Sequence, residues 1–383
     1  MDTMGHDPIH LDHNATTPVA PGAAEAMWPY LMEHFGNPSS TTPAGARARA
    51  AVDRAREQVA AVLGARPDEI VFTSGGTEAN NLAIRGVAGV ATCRTALTSS
   101  VEHPATQAPL AHLRDQGWRV HDLPVDAQCR VRLGEVPTTP VALGTLILAH
   151  NETGAIQPVA DFAERVHSAG GVVHTDAAQA VGKVRVSVED LGVDLLSVAG
   201  HKLYAPKGVG ALFVRRDTTL APVLRGALQE GGIRPGTENV PGIVALGAAA
   251  ELADSLLDHE ADRQAALRDR LWKRLSRSVP DLIRVSPVTG CLPNTLMVVV
   301  PGRLGAAVLE ATTALAAATG SACHSGVHSP SSTLLAMGIE HDTALGSLRL
   351  SLGRSTTPTH IERAADALVA EITSPRRPAA TAR

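Results

Sequence analysis

Four lysines stand in this chain, at positions 183, 202, 207 and 273, while arginine supplies nearly all the remaining positive charge. Lys202 closes the run Asp194-Leu-Leu-Ser-Val-Ala-Gly-His-Lys202, where a short apolar segment ends in a small residue and a glycine. A lysine after a strand-like apolar run sits where an α/β fold places ligands. Four other stations share that form. Thr73-Ser-Gly-Gly-Thr-Glu78 stops a strand, turns on two glycines and opens a helix at Thr77. Free N–H groups at a helix start, with a hydroxyl beside them, suit an anion such as phosphate. Ser100-Val-Glu-His103 brings a histidine after the next strand, and His150-Asn-Glu-Thr-Gly154 brings Asn151, whose amide can meet a ligand oxygen. His174-Thr-Asp-Ala-Ala-Gln179 ends a Val-rich strand on Asp176. A carboxylate in that apolar setting needs a partner or a raised pKa.

Read singly, each station is ordinary: a glycine turn with a Thr cap, a capping histidine, a turn asparagine, an Asp helix cap, a solvated lysine. Their succession is not. The ends of parallel strands in one sheet converge on one crevice. An anion cradle, a histidine, an asparagine, a carboxylate and a lysine gathered there match the needs of pyridoxal phosphate: anion binding, a partner for the pyridinium nitrogen and a Schiff-base lysine. Apart from these lies Ala316–Pro330, a small-residue strand running into a Gly/Ser loop that carries Cys323 next to His324. A nearby imidazole favours thiolate, although burial as an inert thiol is the usual fate of intracellular cysteine.

The elements that must position these groups alternate. The patterning predicts helices at 22–33 and 44–63, then strands at 69–73, 95–99, 119–123, 143–149, 171–175 and 194–199. Helices at 77–87, 104–116 and 159–168 intervene, and 209–214 returns as a hairpin partner. Such alternation implies an α/β fold, a mostly parallel sheet covered on both faces. Near residue 240 the pattern changes to an Ala/Leu-rich helical stretch reaching about Ser276, broken around Asp258–Asp262. Strands at 294–300 and 347–352 and helices at 304–311 and 358–372 then form a smaller α+β unit. The first 20 residues read as loop. The domain reading is 15–252 for the large unit, 1–14 with 253–373 for the small one, and a disordered Pro/Ala/Arg-rich tail at 374–383.

Composition bounds the classes. A chain of 383 residues has room for two domains, and 44% hydrophobic with 19% charged residues suits a soluble protein with a sizeable core. Aromatics are only 2%, so aliphatic side chains must fill that core. A net charge of −4 argues against a direct electrostatic grip on nucleic acid. No basic segment leads into an apolar run at the N-terminus, and no apolar stretch approaches the ~20 residues of a membrane helix, so neither a signal peptide nor a membrane association is expected. Cys93, Cys129, Cys291 and Cys323 are far apart, without metal-ligand spacing. The expectation is no metal, no disulfide framework, and a cytoplasmic, reducing setting.

With these motifs assembled, the chain resembles the cysteine desulfurases of the NifS/IscS type, within the class V aminotransferase family of fold-type I pyridoxal-phosphate enzymes. The matching words, in the family's order, are Asp12-His-Asn-Ala-Thr-Thr-Pro18, Phe35-Gly-Asn-Pro-Ser-Ser40, Phe72-Thr-Ser-Gly-Gly-Thr-Glu-Ala-Asn-Asn81, the stations at 150–154, 174–179 and 200–202, Pro206-Lys-Gly-Val-Gly210, Arg234-Pro-Gly-Thr-Glu-Asn239, Gly320-Ser-Ala-Cys323 and Arg349-Leu-Ser-Leu-Gly-Arg354.

The resemblance implies a seven-stranded sheet in the large domain, pyridoxal 5′-phosphate as cofactor and a homodimer. It implies Lys202 as the Schiff-base lysine and proton carrier, Asp176 on the pyridine nitrogen, and His103 as a catalytic residue stacked on the ring and serving in proton transfer. It further implies Gln179 on the ring hydroxyl, and Gly76, Thr77 and His201 on the phosphate together with Thr237 from the other subunit. Asn151 and Arg354 would receive the substrate carboxylate, a task for which a planar guanidinium is suited. Cys323 would take sulfur from L-cysteine as a persulfide, leaving L-alanine, and pass it to a protein acceptor serving iron–sulfur assembly, tRNA thiolation, cofactor biosynthesis or DNA phosphorothioation. The spacing from Cys323 to Pro330 resembles the group with a longer, flexible catalytic loop. Three positions depart from the family's pattern: Ala199 replaces a usual serine at the phosphate, Thr42 a common histidine, and Ala205 a common glycine. A selenocysteine lyase or an aminotransferase is the alternative activity, and a non-catalytic scaffold the alternative class; product analysis separates the first, cofactor colour the second.

Overall fold

The computed structural model describes residues 8–135, 140–320, 322–324 and 327–375. Its centre is a seven-stranded sheet in the order Ile70–Thr73, Gly210–Val214, Leu195–Ala199, Val172–Asp176, Leu143–Ile147, Thr95–Ser99, Arg119–Leu123. Gly210–Val214 runs antiparallel to both neighbours and every other pairing is parallel. Leu143–Ile147, Leu195–Ala199 and Gly210–Val214 are buried along their whole length. That is the signature of strands covered on both faces, and it explains why they read as apolar runs rather than as alternation.

One layer covering the sheet contains helices Pro21–Met32 and Pro43–Leu63 and the first half of Val240–Ser278, sharing an apolar core with Phe162, Phe213 and Leu196. On a second core, Gly76–Ala88 and Pro104–Asp115 bury Leu82, Ile84, Leu110 and Leu113 with Leu143, Leu195 and Leu212. Phe162, with Phe213 among the largest of the fully buried side chains, and Val166 sit on Gly144, where any Cβ would come within 2.4 Å of Val166. A residue without a side chain is therefore required there.

The Ala/Leu-rich stretch is one continuous helix, Val240–Ser278, without the break expected at 258–262. The charged segment contains neither Gly nor Pro, and Glu260 pairs with Arg263 and Gln264 along the helix. Exposure, not a turn, accounts for its polarity. The helix is also long and apolar enough in composition to span a membrane, although no unbroken apolar run marks it in sequence; 56% of its most apolar stretch is buried inside the protein. Its second half packs on a three-stranded sheet, Ser347–Ser351, Thr295–Val299 and Ile283–Arg284, with helix Pro358–Thr373 on the same core. Ile9 and Leu11 join that core, because Ile9–His10 forms a short parallel pair with Leu315–Ala316 where loop was expected. Most of the tail expected to be disordered lies outside the described residues.

Candidate active site

Strand register brings the stations together. Thr73, Ser99, Ile147, Asp176 and Ala199 each end a strand of the central sheet on the same edge. The chain leaves that edge through Gly76, His103, Asn151, Gln179 and Lys202 around a cavity of about 320 Å³. Thr77, Asp176 and His201 line it too, so eight of the eleven residues singled out from sequence converge there.

Lys202 stands on a short 3-10 turn after Ala199. Its Nζ donates to the carbonyls of Asn14 and Ala15, the latter at 2.8 Å. Burial, with the Arg349 charge adding to it, pushes its ammonium down to about 8, so a fraction is free amine near neutral pH. Asp176 is 4% exposed. Its Oδ2 accepts from Asn80 Nδ2 at 2.7 Å and its Oδ1 from the Ala178 N–H at 2.9 Å. His103 caps helix Pro104–Asp115 by accepting the Ala105 N–H at Nδ1, 3.1 Å. Burial holds this imidazole below its usual range. The neutral ring therefore carries its proton on Nε2.

Glu102, just before it, is fully enclosed. Its Oε1 accepts from Ser99 Oγ at 2.6 Å and from the Ile147 N–H at 3.0 Å, tying two adjacent strand ends. Burial raises this carboxyl to about 8, so it is protonated at neutral pH. His201 Nδ1 lies 3.1 Å from Thr16 Oγ1. Burial and the charges of Lys202, Lys207 and Lys183 press its pKa to about 4. An oxyanion against the ring opposes each of those effects.

The cavity suits a phosphorylated pyridine on these grounds. Helix Gly76–Ala88 points its first N–H groups into it, and a Cβ on Gly76 would stand 3.1 Å from the Ala199 methyl. The missing side chain at residue 76 avoids that tight contact and leaves the backbone open to an anion. Opposite that cradle, Asp176 offers a buried carboxylate to a ring cation, and Lys202 offers an amine.

Two sequence-chosen residues are elsewhere, and of Cys323 only the backbone is described. Arg354 does not line the cavity: its guanidinium lies over the Tyr204 ring, 4.2 Å from the centroid, and its backbone N–H donates to Tyr204 Oη at 2.7 Å. Thr237 lines a separate groove beside Thr73, Ser74 and Arg234. Cys323 belongs to a two-stranded hairpin, Ala322–His324 with Val327–Ser329, in which it pairs with His328; its side chain lies outside what is described.

Sequence reasoning missed four groups. Arg349, five residues before Arg354 in the same motif, lines the cavity and donates to Asp12 Oδ1 at 2.7 Å and the Asn151 carbonyl at 3.3 Å. Asn80 orients Asp176. Its signal was a polar residue on the apolar face of a helix, fully buried with Ala79, Leu82 and Ala83. Asn14 has no local signal, since its partners come from distant segments, and Lys183 offers only its spacing of four from Gln179.

A model of the family described as Aminotransferase class-V matches residues 9–364. The chain belongs to the class-V aminotransferase family. It is 44% identical over 361 residues to a cysteine desulfurase of Nostoc sp., a match covering 93% of this chain and 90% of the relative. Among solved structures, a NifS-like protein superposes with a TM-score of 0.88 at 34% identity, covering 95% of this chain and 98% of that one. SspA in complex with cysteine superposes with a TM-score of 0.79 at 33% identity, covering 90% and 98%. Membership of this family, among its cysteine desulfurases, makes the chain an enzyme that uses pyridoxal 5′-phosphate, the group the cavity fits on its own geometry.

Proposed function

We propose that this chain is a cysteine desulfurase in which Cys323 receives sulfur from L-cysteine as a persulfide and L-alanine is released. The observation that carries the reading is the convergence of Lys202, Asp176, His103 and the Gly76–Thr77 helix start on one cavity, in a chain that aligns with a cysteine desulfurase over 93% of its length. Bound pyridoxal phosphate supplies an electron sink that acidifies the Cα–H of an attached amino acid.

The chain's own groups do the rest. Lys202 would hold the cofactor through its amine and would carry the Cα proton; its lowered pKa suits a base near neutral pH. Asp176, fixed by Asn80, would hold a proton on the ring nitrogen. Gly76, Thr77 and His201 seat the phosphate. Asn151 and Arg349, rather than Arg354, receive the substrate carboxylate. Arg349 is the guanidinium at the cavity, whereas Arg354 is committed to Tyr204. The Cys323 thiolate attacks the substrate sulfur: the S–S bond forms as Cβ–S breaks, and its electron pair passes to carbon, which is protonated to the methyl of alanine. His103 Nε2–H is placed to serve these proton movements.

The same proposal includes a homodimer, with Thr237 of one subunit completing the phosphate site of the other. Trp28, Leu31, Met32 and Phe35 support it: they are 50–84% exposed within one short segment, an apolar patch suited to a second copy. It includes the domain division at 15–252 against 1–14 with 253–373, supported by the separate apolar core of the second unit. It includes a reducing, cytoplasmic setting, in keeping with the free thiols of Cys93, Cys129 and Cys291. Sulfur passes from Cys323 to a protein acceptor of iron–sulfur assembly or nucleic-acid thiolation, without direct binding of nucleic acid.

The decisive experiment is Cys323→Ser. The variant is expected to keep cofactor absorbance and its spectral response to L-cysteine while losing persulfide and alanine formation. Unchanged alanine release would remove Cys323 from the mechanism.

A further inference from the structure

Behind the cavity wall stands a cation for which the chemistry above has no use. Lys183 lies four residues past Gln179, in the turn segment that follows strand Val172–Asp176. Its Nζ donates to Gln179 Oε1 at 2.5 Å and to Asn14 Oδ1 at 3.2 Å. Burial and the charges of Lys202 and Arg349 hold its pKa well below the usual lysine range, so nothing about the site favours this cation for its charge. Its use lies in its hydrogens. An ammonium has three donors and no acceptor, and even the neutral amine keeps two hydrogens, one for each oxygen.

Each amide facing Lys183 therefore turns its oxygen to the lysine and its NH₂ away. For Gln179, which lines the cavity, Nε2 is sent to the cavity side, where it donates to the Asn14 carbonyl at 2.9 Å. For Asn14, Nδ2 is sent to Thr295 Oγ1 at 2.8 Å and the Asn151 carbonyl at 3.2 Å, while Asn294 Nδ2 reinforces the oxygen's orientation from the far side at 3.0 Å. The Asn14 carbonyl in turn receives Lys202 Nζ. Asn14 is 1% exposed, and its contacts reach both the large sheet's edge and the strand Thr295–Val299 of the smaller sheet.

We infer that Lys183 is a positioning residue: by fixing the amide orientation of Gln179 and Asn14, it makes Gln179 a donor toward the ring oxygen of pyridoxal phosphate and holds the carbonyl on which Lys202 rests. Without it, the Gln179 amide can rotate and present an acceptor to an anionic ring oxygen. This rests on the placement of the cofactor in the cavity.

The test is a double-mutant cycle on full-length protein, with Lys183→Met, Gln179→Ala and the double variant. The readout is the equilibrium Kd for pyridoxal phosphate in reconstitution, followed by absorbance. Loss of one oriented hydrogen bond predicts Kd about tenfold weaker for Lys183→Met. In the Gln179→Ala background the same substitution should change Kd less than about twofold, because a residue that acts only through Gln179 has nothing left to act on. An equal loss in both backgrounds, or wild-type Kd in Lys183→Met, overturns the inference. If Lys183→Met fails to fold by circular dichroism, Lys183→Gln, which keeps a shorter donor, runs the same cycle with partial loss expected in the first background and none in the second. A wild-type chain that takes up no pyridoxal phosphate overturns the cofactor placement itself, and is read without any variant.

Discussion

Replacing Arg349 and Arg354 in turn separates two arginines that share one motif. Arg349 stands at the cavity, held by Asp12 Oδ1 at 2.7 Å and the Asn151 carbonyl at 3.3 Å, with Nε buried and unpaired among the described residues. A guanidinium presents two parallel N–H groups to a carboxylate, and hydrogen bonds to charged groups contribute about 1.5–3 kcal/mol each. Arg349→Ala should therefore cost about 3–5 kcal/mol in kcat/KM for L-cysteine, roughly 10²–10⁴-fold, most of it in KM if the carboxylate is held equally in ground and transition states. Asp12 loses its partner in that variant. It is 24% exposed on its side chain, so water can take over and the fold should survive. Arg349→Lys keeps the charge but not the fork and should recover only part of the loss. Arg354→Ala removes a cation–π contact with Tyr204, which is worth about 1 kcal/mol; it should lower thermal stability while leaving KM within about threefold. Alanine release measured against cysteine concentration, with thermal melts for all three variants, decides it. A larger KM effect at Arg354 than at Arg349 would show that the cavity geometry has been misread.

Asn80→Ala should weaken cofactor binding about tenfold, since Asp176 Oδ2 loses a donor 2.7 Å away inside the fold; equilibrium reconstitution measures it, and an unchanged Kd would refute the orienting role. Lys202 has a folded pKa of about 8 against an ordinary lysine value of 10.5, so between those pH values the unfolded chain binds more protons and the folded state gains stability as pH rises. Thermal melts of cofactor-free wild type and Lys202→Met should show the variant's advantage largest below about pH 8 and shrinking toward pH 10.5; a constant difference would contradict the shift. Phe35→Asp, at a side chain 84% exposed, should turn a dimer into a monomer in light scattering and weaken cofactor retention through loss of Thr237 from the partner. An unaltered mass would place the interface elsewhere.

Much of this protein is legible in order and type alone. The stations at Gly76, His103, Asn151, Asp176 and Lys202 could be named because each stands where an apolar run ends, and parallel strands in one sheet must deliver such ends to one edge. The buried strands announced themselves as continuous aliphatic runs. What stayed hidden is what depends on facing segments far apart in sequence. Arg349 and Arg354 share one motif, yet only strand Ser347–Ser351 aims its arginine into the cavity, while the turn after it lays the other on Tyr204. Asn14, from a stretch read as loop, binds groups at 179, 183, 202, 294 and 295. A lone asparagine or lysine looks the same in sequence whether it is solvated or enclosed. Only packing removes the water, and once water is gone each N–H and C=O must find a partner, which is what turned Asn14, Asn80 and Lys183 from ordinary polar residues into the frame around Lys202.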